Sequence, residues 1–554
     1  MTTLDIRVRR RGRALRSLAA AGIAALLLSG CGQGTGTGTT TDVPPTQQPD
    51  GVAENQEGVS KNPYGGEALS RGEAKSGGEI RVGLPANVES LDPIATFNGP
   101  AFAVGLAVYD RLMKLDPSGK PVGELAESMT SDDNKTWIMK LPSDVTFHDD
   151  TPFNAQAVVA HLERLGSPES RSQSAGDIRA IQSMRAVDDT TVEFVLQTPW
   201  SGFPKVFTRW APAYVPSPTA VAAGGATYGL KPVGVGPFKV ETFSPGNEIV
   251  LVRNPNYRVG GLPKVDKLTY IPATDTQSRL AANISGQLDI TTTQSAQDFD
   301  QAQNGGLVVL RQPVSTYTDI LMNLSKPPFD DPRMRIAVAQ AIDTEAINQT
   351  VYGGRHKVMK GLFAESHPYH VAVDWPPHDP EAAKKAVEEL QAEGRTVDFE
   401  IAVPQPQEMQ RSAQLIQQML TDVGMAVQLK ISDQPEMVTS AAAGNYTAQI
   451  RYIGILPETD NVLWQNWYSG SRGNLAKAGD PEVDRILIAA RAADPADQQE
   501  LYQEFQREAA RWMPIVPLVQ TQNAMLVGPK IGGHPGASGE GVPEEIDMRE
   551  VWVK

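Results

Sequence analysis

One cysteine, Cys31, is all that this 554-residue chain carries. That excludes an intrachain disulfide framework, and it leaves no thiol in the body of the chain for nucleophilic chemistry. Long apolar runs are scarce as well. Residues 18–28 form one such run, and it falls short of the ~20 residues that a stable bilayer-spanning helix needs. Positive charge is in deficit: 50 Lys and Arg stand against 65 Asp and Glu, for a formal net charge of −15. So acidic a body suits neither a phosphate backbone nor an anionic membrane surface, and no nucleic-acid partner is expected. Catalytic signatures are missing too: there is no His-Glu-x-x-His, no Gly-x-Ser-x-Gly elbow, no P-loop and no dinucleotide glycine fingerprint. These absences point away from an enzyme, a cofactor or a resident metal. The 7 histidines include His367, His370 and His378, with Asp374 among them. That cluster reads as a polar, Pro-rich loop more readily than as a metal site.

What is present begins with a targeting segment. Arg7, Arg9, Arg10, Arg11, Arg13 and Arg16 form a basic region ahead of the apolar run, so residues 1–30 read as a signal peptide. Leu28-Ser29-Gly30-Cys31 closes the run and looks like a bacterial lipobox, with Cys31 as the lipidation site. Lipid at Cys31 would be the only membrane attachment, and the body would lie on the extracytoplasmic face or in the periplasm. Residues 31–77, Gly/Thr-rich and then Pro/Gln/Glu-rich, read as the anchor and a flexible linker. The remainder, at 40% hydrophobic and 21% charged overall, has ordinary globular composition and enough length for two or three structural units.

Alternation and punctuation organise the body. Residues 232–290 read as strands at 238–243, 248–253 and 267–271, a helix over 276–285 stopped by Gly286, and a returning strand at 287–290. Upstream, strands are expected at 79–84, 135–141 and 191–197, with helices over 102–112 and from the cap Asn154. Downstream, a strand at 318–323 leads to one long helix from Pro332 to about Val351. Two helix–Gly–strand units follow, 381–403 around Gly394 and 412–431 around Gly424, which argues for a second α/β lobe. A strand-like tail, 514–527, could return to the first lobe. His148-Asp149-Asp150 looks like a metal triad in isolation and is read as a structural turn.

Several stretches are similar to the peptide/nickel-type (family 5) extracytoplasmic solute-binding proteins of ABC importers. They are LAESMTSDDNKTWIMKLPSDVTFHDDTPFNAQAVV (125–159), GVGPFKVETFSPGNEIVLVRNPNY (234–257), SGQLDI (285–290), MNLSKPPFDDPRMRIAVAQAID (322–343) and SAQLIQQMLTDVGMAV (412–427). The resemblance covers most of residues 79–530 and implies an α/β, two-lobed periplasmic-binding-protein-like fold (class II, cluster C type). Lobe I would span 78–313 with an extra subdomain inserted at about 119–235, lobe II 314–519, and residues 520–554 would return to lobe I. The implied function is capture of a small solute between the lobes, a peptide or peptide-like one by family default, and delivery to ABC permease subunits by a monomeric binding protein. Alternatives are a sensory or receptor lipoprotein on the same fold, or a non-peptide solute such as a metal chelate or a carboxylated or sugar-like compound.

The resemblance also implies site residues. Peptide-binding members hold the peptide ammonium with an Asp in a Trp-x-x-Asp stretch, and the matching stretch here is Arg451-Tyr-Ile-Gly-Ile455. Tyr452 stands for the aromatic and Ile455 for the Asp; Asp460 or Glu458 is the nearest substitute. By position, Phe97, Asn98 and Gly99 contribute from the first lobe, Arg451 suits a carboxylate or phosphate, and Tyr452, Trp464, Trp467, Trp210 and Tyr317 are aromatic candidates for the cleft.

Overall fold

The structure is a computed structural model, and it describes residues 56–63, 66–95, 99–170, 172, 174–312, 316–365, 367–454, 459–471, 473–477, 479–536 and 547–554. The expected signal peptide, Cys31, and the linker up to residue 55 lie outside the described residues.

Alternation in the 232–290 stretch builds half of a seven-stranded sheet. Its order is Phe238–Ser244, Glu248–Arg253, Lys267–Pro272, Glu79–Leu84, Ile290–Thr293, Asn523–Val527 and Val308–Gln312. Glu79–Leu84 pairs in parallel with both neighbours, and all other pairings are antiparallel. Ile249 and Leu251 point into the core with Leu268 and Tyr270. The GVGPF segment crosses the end of helix Gly99–Val108 so closely that a Cβ on Gly236 would meet the Val108 carbonyl carbon at 2.5 Å, which excludes any side chain there. His148 buttresses the same crossing, its Nε2 lying 2.9 Å from the Gly236 carbonyl, and burial lowers its pKa to about 4.

A second, six-stranded sheet runs Lys357–Val358, Ile515–Gln520, Thr316–Met322, Ala448–Gly454, Asp398–Pro404 and Ala426–Ser432. Asp398–Pro404 and Ala426–Ser432 are parallel neighbours joined by helix Gln407–Asp422, a βαβ crossover. Gly394 and Gly424 hold the left-handed positions that end the two helices, at φ 73° and 94°. The chain passes between the two large sheets twice, between Gln312 and Thr316 and between Gln520 and Asn523. The 514–527 tail therefore serves both lobes, one strand each.

A separate four-stranded sheet, Ser128–Thr130, Thr136–Lys140, Thr191–Leu196 and Ile181–Asp188, is covered by helix Ala155–Gly166. Trp137, Met139, Phe194 and Leu162 fill its own core, distinct from those of the large sheets.

Two expectations change. The single helix over 332–351 is two, Pro332–Ala341 and Thr344–Tyr352, because the Asp343 side chain accepts from Ala346 N (2.9 Å) and starts a new helix. Residues 56–70, expected within a flexible linker, carry strands Val59–Lys61 and Glu67–Ser70, the latter paired with Ile531–His534. The reason is an open sheet edge. Strand Val308–Gln312 ends the seven-stranded sheet, and its amides find side chains instead of a further strand: Val309 N donates to Gln56 Oε1 (3.0 Å) and Arg311 N to Glu67 Oε2 (2.8 Å).

Behind the first lobe lies a buried ionic cluster. Arg549 reaches Glu124 (2.7 Å) and donates from Nε to Asp547 (2.9 Å); Arg111 donates to Glu124 (2.8 Å) and Arg258 to Asp110 (2.8 Å). Three carboxylates balance three guanidiniums, and the Tyr257 hydroxyl adds a bond to Asp110 (3.0 Å). The cluster ties the chain's C-terminal segment to Glu124, just ahead of the four-stranded sheet.

Candidate functional site

Facing surfaces of the two lobes touch at two ends of their shared boundary. At one end the Asn461 side chain donates to Asp177 Oδ2 (3.0 Å), Ser201 N donates to the Arg491 carbonyl (3.0 Å), and Gln498 Nε2 to Ser201 Oγ (3.1 Å). At the other, Ser295 Oγ donates to Glu408 (2.9 Å), while Arg355 holds the Ala296 carbonyl (3.1 Å) and the Asp300 carboxylate (2.6 Å). Asp177 is buried by this contact, and desolvation raises its pKa to about 6 against the opposing pull of Asn461 and Arg491.

A cavity opens at the first of these ends. Trp200, Gly202, Lys205, Val206 and Trp210 line it from the first lobe, and Asp460 and Asn461 from helix Thr459–Trp467 of the second. Its free volume is 10 Å³, about enough for one water. A solute larger than one water does not fit between these walls as they stand.

Trp210, among the aromatic candidates, does line this cavity and meets Phe102 edge-on at 4.9 Å. Gly99 opens helix Gly99–Val108, whereas Phe97, Asn98, Ile455 and Glu458 lie outside the described residues. Tyr452 is 41% exposed and close to Tyr352 and Glu408, at the other end of that boundary. Trp464 stacks face to face with Tyr468 (3.9 Å, 19°) and takes the Arg491 guanidinium on its far side (4.3 Å). Tyr317 and Trp467 are second-lobe core, 1% and 2% exposed, with Trp467 set against Phe505 at 5.5 Å. Their rings are used in packing, because both fall on the inner face of their element. Arg451 does not face the cavity as an open cation. It lies directly across the ladder from Asp319 and forks onto it, Nε to Oδ1 at 3.0 Å and Nη2 to Oδ2 at 3.2 Å.

Asp460, weighed as the substitute for the missing aspartate, does reach the cavity wall. Its Oδ2 stands 3.6 Å from Arg491 Nε and is also faced by the Trp200 indole and the Tyr502 hydroxyl. Burial raises its pKa while Arg491 opposes the shift. Trp200, Lys205, Asn461, Asp177 and Arg491 carried no local signal in the sequence. They become a site through long-range contacts such as that of Asn461 with Asp177, 284 positions apart. In the histidine loop, His367 stacks on Phe363 (4.5 Å, 12°), His370 Nδ1 is 3.3 Å from the Phe363 carbonyl, and His378 is 3.8 Å from Asp343. Among the described residues no three His, Cys, Asp or Glu side chains converge to hold a metal ion.

Two α/β lobes, two crossings and a cavity walled from both sides define a solute-binding protein of the closing-cleft kind. The chain belongs to family 5 of the bacterial extracellular solute-binding proteins, whose model matches residues 120–474. It is similar to the glutathione-binding protein GsiB of Escherichia coli O1:K1 / APEC, 28% identical over 475 residues, covering 81% of this chain and 91% of GsiB. Its fold is that of AgaA from A. tumefacien R10, solved with agropinic acid: TM-score 0.77, 24% identity, covering 86% of this chain and 99% of AgaA. It is also that of the ABC transporter-associated periplasmic binding protein DppA from Helicobacter pylori, solved with the peptide STSA, at TM-score 0.77 and 20% identity over 86% and 98% of the two chains. These relatives are named as binding proteins. Among the described residues no helix is long and apolar enough to cross a membrane.

Proposed function

We propose that this chain is a lipid-anchored, monomeric binding protein that captures a small peptide or peptide-like solute between its lobes and delivers it to an ABC permease. The observation that carries the reading is the cavity walled by Trp200, Lys205 and Trp210 from one lobe and Asp460 and Asn461 from the other. Delivery to a permease follows from the likeness to DppA, and a peptide-like solute from the likeness to GsiB and DppA. One feature favours a solute anchored by something other than a free ammonium, such as a carboxylated compound. The Asp460 carboxylate already faces the Arg491 guanidinium, with Nε 3.6 Å from Oδ2, so an ammonium would have to compete with a fixed cation.

Native mass spectrometry of the full chain, purified gently from its host, tests the reading. A co-purifying mass of a few hundred daltons, released on unfolding, is expected. A chain that carries none, and that shows no thermal shift with peptides, glutathione or carboxylated sugar amino acids, would overturn it. Anchoring is tested separately. Cys31→Ser is expected to move the protein from the membrane to the soluble fraction, and unchanged membrane association would end the lipobox reading.

A further inference from the structure

Arg491 stands outside the cavity lining, yet it touches Trp200 and Asp460 of that lining and Ser201 of the opposite lobe. It lies in the last turn of helix Pro481–Ala492, where a cation suits the helix dipole. Its guanidinium carbon sits 3.6 Å above the Trp200 ring of the first lobe and 4.3 Å from the Trp464 ring of its own. With Tyr468 stacked behind Trp464, four flat groups form one column across the lobe boundary. The Arg491 carbonyl, one of the orphan acceptors at a helix C-terminus, accepts from Ser201 N (3.0 Å), next in sequence to Trp200. The side chain is 8% exposed, and its Nε lies 3.6 Å from Asp460 Oδ2 on the cavity wall.

We propose that Arg491 is a positioning residue for closure, a wedge whose insertion between Trp200 and Trp464 locks the lobes together over the cavity. The inference deepens the solute-binding reading and rests on it. Parting the lobes would strip the guanidinium of one ring and the helix end of its cap in the same movement. Those losses fall on the same few residues, so closure is two-state there and not gradual. Trp200 is itself held by core contacts, with Phe203 at 5.5 Å and Asn134 O accepting from its backbone N at 2.7 Å, so the first-lobe half of the column moves as a unit.

Amide hydrogen exchange on the full chain, with no solute added, reads this directly. In Arg491→Met the peptide containing Ser201 is expected to exchange at least tenfold faster than in the parent. Strand Thr191–Leu196 and the rest of helix Pro481–Ala492 should keep their protection. Arg491→Lys keeps the charge but loses the flat stacking group, and should shift Ser201 in the same direction by less; it also stands in if the Met variant folds poorly. Unchanged Ser201 protection in both variants overturns the proposal. So does faster exchange that spreads through the whole helix, since that would mark Arg491 as a packing residue only. Because the readout needs no solute, failure here leaves the solute-binding reading standing, and failure of that reading would appear in the mass measurement instead.

Discussion

Arg549→Met is expected to cost about 3–5 kcal/mol of folding stability, read as a lower urea midpoint at unchanged slope. Arg549 closes the buried cluster behind the first lobe, reaching Glu124 at 2.7 Å, Asp547 at 2.9 Å and Asp110 at 3.9 Å. Without it three carboxylates share Arg111 and Arg258, in a place where Asp110 and Glu124 are 2% and 3% exposed at the side chain. Desolvation already raises the Asp110 pKa against the pull of Arg258 and Arg549, so losing one guanidinium leaves a charge that water cannot reach. The segment that supplies Arg549 is also held by buried Met548 and Val551 and by the pairing of Trp552 with strand Ile531–His534, so the loss is expected to be local to the ionic cluster. A loss under about 1 kcal/mol, the range of exposed pairs, would show that solvent reaches the cluster.

Arg451→Met is expected to cost a similar amount, about 3–5 kcal/mol, and to leave solute affinity within about threefold of the parent. Asp319 is completely buried and has Arg451 as its ionic partner, across neighbouring strands 132 positions apart in sequence. Removing the arginine strands a carboxylate in the second-lobe core. The double variant Asp319→Leu with Arg451→Met should recover most of the loss, because the pair's attraction only offsets its own desolvation. Thermal and urea unfolding of the two singles and the double complete the cycle. If Arg451 instead held a solute carboxylate, the single variant would lose binding while keeping its stability, and the double would recover nothing.

Much of the scaffold was legible because its signals are local. Trp137 and Met139 alternate with solvent-facing neighbours, and both are buried in strand Thr136–Lys140. Gly394 and Gly424 mark helix ends where φ is positive, and Asn154 caps its helix through Ala157 N at 3.0 Å. Errors came where a local pattern had two readings. Residues 332–351 kept a helical period across a break that only the Asp343 cap decides. Residues 56–70 look like linker, since their role is to offer side chains to a sheet edge about 250 positions away.

The site divides in the same way. From sequence, Arg451, Tyr317 and Trp467 had the right chemistry for a cleft; only the structure packs Tyr317 and Trp467 in the second-lobe core and pairs Arg451 with Asp319. Trp200 and Arg491 had no pattern to distinguish them, being one indole after a strand and one arginine in an amphipathic helix. The sequence by itself determined the α/β class, since strand alternation, caps and glycines act over a few residues, and its resemblance to family 5 implied the two lobes. The tertiary structure alone decided which polar groups meet across the lobes. A contact such as Asp177 with Asn461, 284 residues apart, is set by how the sheets pack and not by either residue's neighbours.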